Sequence, residues 1–185
     1  MERRQECYYT YEQWLDLDIE GRSELIGGQL YMMADPTSRH QKVVAELLRQ
    51  IANFLLGKTC QVFPSPFGVR LNETRDTAYE PDLVVICDPS KIKHRGCVGA
   101  PDMVIEVLSP STAQRDKVDK YYDYMQAGVK EYWIVDGENN FLDAYRLVDG
   151  KYVQQTYFEK DNAPIQVLQG CEIDLSLVFE KLILS

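Results

Sequence analysis

One stretch constrains this chain more than any other: Met103 to Leu108, MVIEVL, an apolar run of strand length broken by a single acid, Glu106. A half-buried strand alternates apolar and polar residues, whereas a continuous apolar run belongs to a strand covered on both faces. The chain must therefore supply a layer on each side of the sheet that holds this strand. Glu106 then sits where every neighbour is apolar, and a buried carboxylate is costly unless it is paired or coordinated.

The covering elements are legible. Val43, Val44, Leu47, Leu48, Ile51, Phe54 and Leu55 recur at helical spacing after Pro36 and Ser38, and Gly57 stops that long helix. A shorter helix follows Thr10, with Gln13 placed to complete a capping box, and ends near Asp18 to Gly21. A second major helix is expected from Ala113 to Ala127, capped by Ser109-Pro110-Ser111-Thr112 and closed by Gly128. A last short helix starts at Ser176 with Leu177, Phe179 and Leu182 on its apolar side.

Strands fill the intervals. Glu24–Ile26 and Gln29–Met33 flank Gly27-Gly28 as a hairpin. Further strands are expected at Cys60–Phe63, Phe67–Leu71, Leu83–Ile86, Glu131–Val135, Phe141–Leu147 and Tyr152–Tyr157, with Asp88–Gly99 as a charged loop. The expected architecture is α/β in the mixed α+β sense: one sheet flanked by helices, in a single domain over residues 1–185.

The five cysteines are odd in number and scattered, so Cys60 and Cys87 read as buried thiols in strands, with no zinc-like CxxC pair. No apolar run approaches the roughly 20 residues of a membrane span. The two early arginines, Arg3 and Arg4, precede no apolar segment, so the reading is a cytoplasmic protein without a membrane partner. A net charge of −9 is the wrong sign for broad contact with a polyphosphate.

Three residues stand out for chemistry. Asp82 follows Glu80-Pro81 at the mouth of the strand LVVI, and Glu106 is the buried acid. Lys120 shares one helix face with Asp116 and Tyr124, and the short connection from Glu106 brings that helix back over its own strand. Two acids and a lysine at one sheet rim suit Mg²⁺ or Mn²⁺: the acids hold the ion, and the lysine orients water or neutralises developing phosphorane charge. Each has a plainer reading: Asp82 as a turn acid, Glu106 paired with an arginine, Lys120 solvated beside Asp116. His40 at the helix start, Glu80 beside Asp82, Glu46, and the Lys91-Lys93-His94-Arg95 group are secondary candidates.

EPDLVV at 80–85, APDMVIEVLSPST at 100–112, Asp116 with Lys120 and Tyr124, and GVKEYWIVD at 128–136 resemble the Uma-two putative restriction endonuclease family, as do 24–30 and Pro36 through His40. The resemblance runs from about Tyr11 to Leu147 and is most specific in its central third. That family is similar to PD-(D/E)XK nucleases, which implies a restriction-endonuclease-like mixed sheet, Asp82 as first acid and metal ligand, and Glu106 as second. The chain departs from the superfamily pattern at Leu108, where a lysine usually stands; Lys120 matches the family's lysine from the next helix. The implied activity is Mg²⁺- or Mn²⁺-dependent hydrolysis of DNA phosphodiester bonds, with a homodimer as a default for cutting two strands. The rival readings are an inactive nuclease-fold module that binds nucleic acid or regulates, and an interaction protein using Trp133, Tyr121, Tyr122 and Tyr124 as a dimer surface. No glycine-rich nucleotide fingerprint or Walker lysine suggests an organic cofactor.

Overall fold

The computed structural model describes residues 7–109 and 116–182. Its centre is a six-stranded mixed sheet in the order β11-β10-β9-β8-β5-β3. These strands are β3 (Gln61–Pro64), β5 (Leu83–Ile86), β8 (Met103–Val107), β9 (Glu131–Asp136), β10 (Phe141–Val148) and β11 (Lys151–Phe158). Every residue of β5 and β8 is buried, as their unbroken apolar runs require.

Alternation along these strands divides the core into two layers. Leu83, Val85, Met103, Ile105, Val107, Trp133 and Val135 face one side, and Val84, Ile86, Val104, Tyr132 and Ile134 face the other. The first side is covered by α2 (Ser38–Leu55), whose Val43, Val44, Leu47, Ile51 and Leu55 form the stripe that the periodicity predicts. Each such side chain contributes about 1.5–3 kcal/mol through removal from water. The opposite layer holds Val69, Tyr79, Cys97, Tyr124, Val129 and Tyr152.

The pair β8–β9 is parallel, while the other joins in this sheet are antiparallel. Parallel neighbours need a crossover, and an antiparallel hairpin cannot supply one. The crossover here contains a π-helical turn, Asp116–Lys120, running into α3 (Tyr121–Ala127). Gly128 ends it at φ 87°, a left-handed conformation that suits glycine. The expected regular α-helix is thus π-helical at its described start. Its expected first residues and the Pro110–Thr112 cap lie outside the described residues.

At the N-terminal end, α1 (Tyr11–Leu15) carries the full capping box: the Gln13 N–H donates to Thr10 Oγ1, and the Thr10 N–H donates to Gln13 Oε1. β1 (Ser23–Ile26) and β2 (Gln29–Met32) form the Gly27-Gly28 hairpin.

Several expectations need correction. Asp88–Gly99 is more than a loop: it contains a short 3₁₀ turn, Pro89–Lys91, and the strands β6 (Ile92–Lys93) and β7 (Gly96–Val98). β7 also pairs in parallel with β4 (Gly68–Arg70). A further hairpin, β12 (Asn162–Ile165) with β13 (Cys171–Asp174), buries Ala163, Ile165, Cys171 and Ile173 against the α2 side. The final helix, α4, is Leu175–Val178, capped by Asp174; it buries Leu175 and Val178 while Leu177 faces solvent.

Cys60 and Cys87 are joined by a disulfide rather than being separate thiols. The register explains this: Gln61 pairs with Ile86, so the next residues outward, Cys60 and Cys87, face each other across two antiparallel strands. Trp133 and Tyr124 are fully buried, which removes them from any dimer surface. Tyr121 packs edge-on against Tyr122, Tyr145 and Tyr152, so of that aromatic group it is Tyr122 that is mainly exposed. Among the described residues, no helix is long and apolar enough to cross a membrane.

Candidate active site

The crossover from β8 to β9 carries Lys120 back over Glu106. Lys120 Nζ donates to Glu106 Oε1 at 2.8 Å, and the Tyr124 hydroxyl donates to the same oxygen at 3.2 Å. Lys120 and Tyr124 are four residues apart, which places both on the helical face that meets the strand. The lysine, 1% exposed, also lies 2.8 Å from Oε1 of Glu24 on β1. A charge so buried is tolerated because two carboxylates face it. The Tyr79 ring lies 5.6 Å from the same ammonium.

Asp82 reaches the site from the neighbouring strand. Leu83 pairs with Ile105; Asp82 precedes the first and Glu106 follows the second, so the acids occupy adjoining places in the ladder. Both Asp82 oxygens are held. Oδ2 accepts from the Val107 N–H at 2.8 Å, and Oδ1 lies 3.1 Å from His40 Nε2. His40 stands in the first turn of α2, where Thr37 caps the helix through the His40 N–H. This fixes the imidazole against the end of the sheet.

The remaining polar groups are asymmetric. Glu80 is half-buried, and burial pushes its carboxyl above the usual carboxylate range; Arg22 and Lys120 oppose that shift and Glu24 reinforces it. Among the described residues, Glu80 Oε2 and His40 Nδ1 are buried without a hydrogen-bond partner. Unsatisfied buried polar atoms are uncommon, and both flank Asp82. A cavity of about 160 Å³ lies here, bordered by Arg22, His40, Ser65 and Asp82.

Of the three residues expected to carry the chemistry, Glu106 and Lys120 are in direct contact and Asp82 lies across the ladder from Glu106. Glu24 was missed. It sits in a hairpin whose alternation gives no reason to bury an acid, and only the docking of β1 against the crossover reveals its place. Glu46 takes no part: it pairs with Arg49 and Gln50 on α2. The side chain of Asp116 lies outside the described residues. Lys91 and Lys93 donate to the Ala100 and Ser90 carbonyls, so they are folded onto their own loop. Among the described residues, no cluster of three or more His, Cys, Asp or Glu side chains forms a metal-holding group.

Comparisons with known proteins bear on the family and the fold. The family model Uma2, described as a putative restriction endonuclease, matches residues 8–176. An uncharacterized protein, slr1290, of Synechocystis sp. (strain ATCC 27184 / PCC 6803 / Kazusa) is 26% identical over 174 residues, covering 93% of this chain and 90% of the relative. A second from the same organism, sll1609, is 26% identical over 148 residues, covering 78% and 83%. The fold is similar to the crystal structure of a putative nuclease belonging to DUF820 from Anabaena variabilis ATCC 29413. That match has a TM-score of 0.74 at 20% identity, over 92% of this chain and 97% of the other. The restriction-endonuclease-like mixed sheet flanked by helices is therefore the fold of this protein, and the chain belongs to the Uma2 putative restriction endonuclease family.

Proposed function

We propose that this protein is a divalent-metal-dependent endonuclease that hydrolyses phosphodiester bonds of DNA, with Asp82, Glu106 and Lys120 at its catalytic centre. The observation that carries this reading is the 2.8 Å contact between Lys120 and Glu106 beside Asp82. It answers the departure at Leu108, because a lysine arriving from the crossover reaches the acid that a strand lysine would otherwise accompany.

The donor chemistry fits Mg²⁺ or Mn²⁺. These ions take hard oxygen ligands, and Mg²⁺ commonly uses one or two carboxylates while keeping water and substrate phosphate in its other positions. Two acids on adjoining strand places supply that number. Glu24, Glu80 and Glu106 also give the site an excess of carboxyl groups around Lys120, and the Glu80 Oε2 atom is buried without a hydrogen-bond partner among the described residues. When bound, the metal supplies a water of lowered pKa and a Lewis acid for a phosphoryl oxygen.

The chain's own residues do the rest. Val107 N–H and His40 hold the two Asp82 oxygens in place, so its carboxylate is oriented before any ligand arrives. Tyr124 and Lys120 orient Glu106 in the same way. Lys120 brings a positive charge to the place where the transition state gains negative charge, in a buried setting where such a charge acts strongly.

Cleavage of supercoiled plasmid tests this reading. The expected result is Mg²⁺- or Mn²⁺-dependent nicking that stops in chelator and falls at least about a hundredfold in Asp82→Asn. A folded protein that binds DNA but leaves it intact under both metals would instead support the regulatory module.

A further inference from the structure

Beside the acids lies a second, larger cavity of about 520 Å³, open to solvent. That is within the range of sites for small organic ligands, roughly 300–1,000 Å³. Its floor is backbone. Gly68 and Gly96 face each other in the β4–β7 pair, and a Cβ on Gly96 would stand 2.1 Å from the Gly68 carbonyl oxygen. A Cβ on Gly68 would stand 3.1 Å from the Trp14 ring, so the two glycines let the paired backbones and the Trp14 ring approach closely at the cavity's edge. Trp14 and Phe67 line the walls, and the Phe67 ring is stacked on Phe63 with centroids 4.4 Å apart.

Two arginines stand in the polar lining, in a chain of net charge −9. Arg22 and Arg95 border the cavity together with His94 and Glu80. Arg22 is the hinge between the two spaces, because it borders both this cavity and the smaller one that holds His40 and Asp82. Its guanidinium donates to neutral groups, the Ser65 hydroxyl at 2.6 Å and the Met33 sulfur at 3.6 Å. Arg95 donates to the Leu15 carbonyl and lies 3.4 Å from Asp16.

We propose that this cavity receives one unstacked nucleotide of single-stranded DNA next to the cleaved bond, its phosphate on Arg22 and its base against Phe67 and Trp14. The inference rests on the nuclease reading for the position of the cleaved bond, and adds the strand form of the substrate. A base held in a duplex stack cannot enter a pocket walled by aromatic rings and floored by glycine backbone. A single strand offers its π-face, and stacking on an aromatic side chain is sequence-tolerant. The charge balance points the same way. A surface of net −9 opposes the broad phosphate contact of a duplex, whereas a recessed arginine group needs to meet only one or two phosphates.

Fluorescence anisotropy in chelator tests the proposal, with labelled oligo(dT) of about eight nucleotides and a duplex of equal length. The full chain is compared with Arg22→Gln, with the exposed-site variant Arg95→Gln, and with Phe67→Leu. The single strand is expected to bind at least about tenfold tighter than the duplex. Arg22→Gln should lower that affinity about tenfold and reduce the salt slope by about one, and Phe67→Leu should lower affinity at least about fivefold with the slope unchanged. Arg95→Gln gives a smaller loss of the same kind and guards against a folding defect in Arg22→Gln. Equal binding of both forms, or wild-type binding by all three variants, overturns the cavity assignment. If the chain cuts plasmid while the variants bind and cut normally, the nuclease reading stands and the cavity falls. If it binds single strands through these residues and never cuts, the cavity stands and the nuclease reading falls.

Discussion

Lys120 on the crossover and Glu106 in the fully buried strand β8 meet at 2.8 Å, with 1% and 3% of their surfaces exposed. Neither charge is tolerable alone at that depth. Replacing Lys120 by Ala leaves both Glu106 and Glu24 without their buried cation. The expected loss is about 3–5 kcal/mol of folding stability, read by urea unfolding. Lys120→Ala with wild-type stability means that the pair is solvated and contradicts this account of the site.

Part of this site could be read from the chain order alone. Glu106 announces itself because one acid interrupts an apolar strand, and Lys120 follows because the short connection after that strand brings the next helix back over it. The capping box at Thr10 and the stripe on α2 are local, set by spacings of three and four residues, and the structure keeps both. Glu24 and the Cys60–Cys87 bond are not local. They depend on which strand or helix docks beside which, and on a register that pairs residues 27 positions apart. Pro164 lies inside β12, and a proline, which cannot donate to a ladder, gives the sequence there little strand character.

The disulfide has a measurable count. Under denaturing, non-reducing conditions three thiols should titrate, namely Cys7, Cys97 and Cys171, and five after reduction. In the chain-entropy picture, closing a loop of this length contributes about 3.5 kcal/mol. Cys60→Ser with Cys87→Ser should lower stability by up to about that amount. Five titrating thiols before reduction would remove the bond from the description.

Glu131 provides a pH test away from the acids. Its oxygens accept from Trp133 Nε1 at 2.9 Å and from the Val167 N–H at 3.0 Å. Burial nonetheless holds its carboxyl above the ordinary value of 4.5. The folded state therefore binds this proton more tightly than the unfolded state does. Its contribution is fully present below 4.5 and is lost as pH rises through the raised folded value. Thermal unfolding across that window should show a flatter profile in Glu131→Gln than in the wild type. A wild-type profile identical to that of the variant removes Glu131 from the pH dependence.

Asp82 and Glu106 are proposed to share one divalent cation, and direct titration with Mn²⁺ measures this without reference to cleavage. Calorimetry on the full chain is expected to show one site per chain, weakened at least about tenfold by Asp82→Asn and, separately, by Glu106→Gln. Unchanged Mn²⁺ affinity in both folded variants would contradict the account.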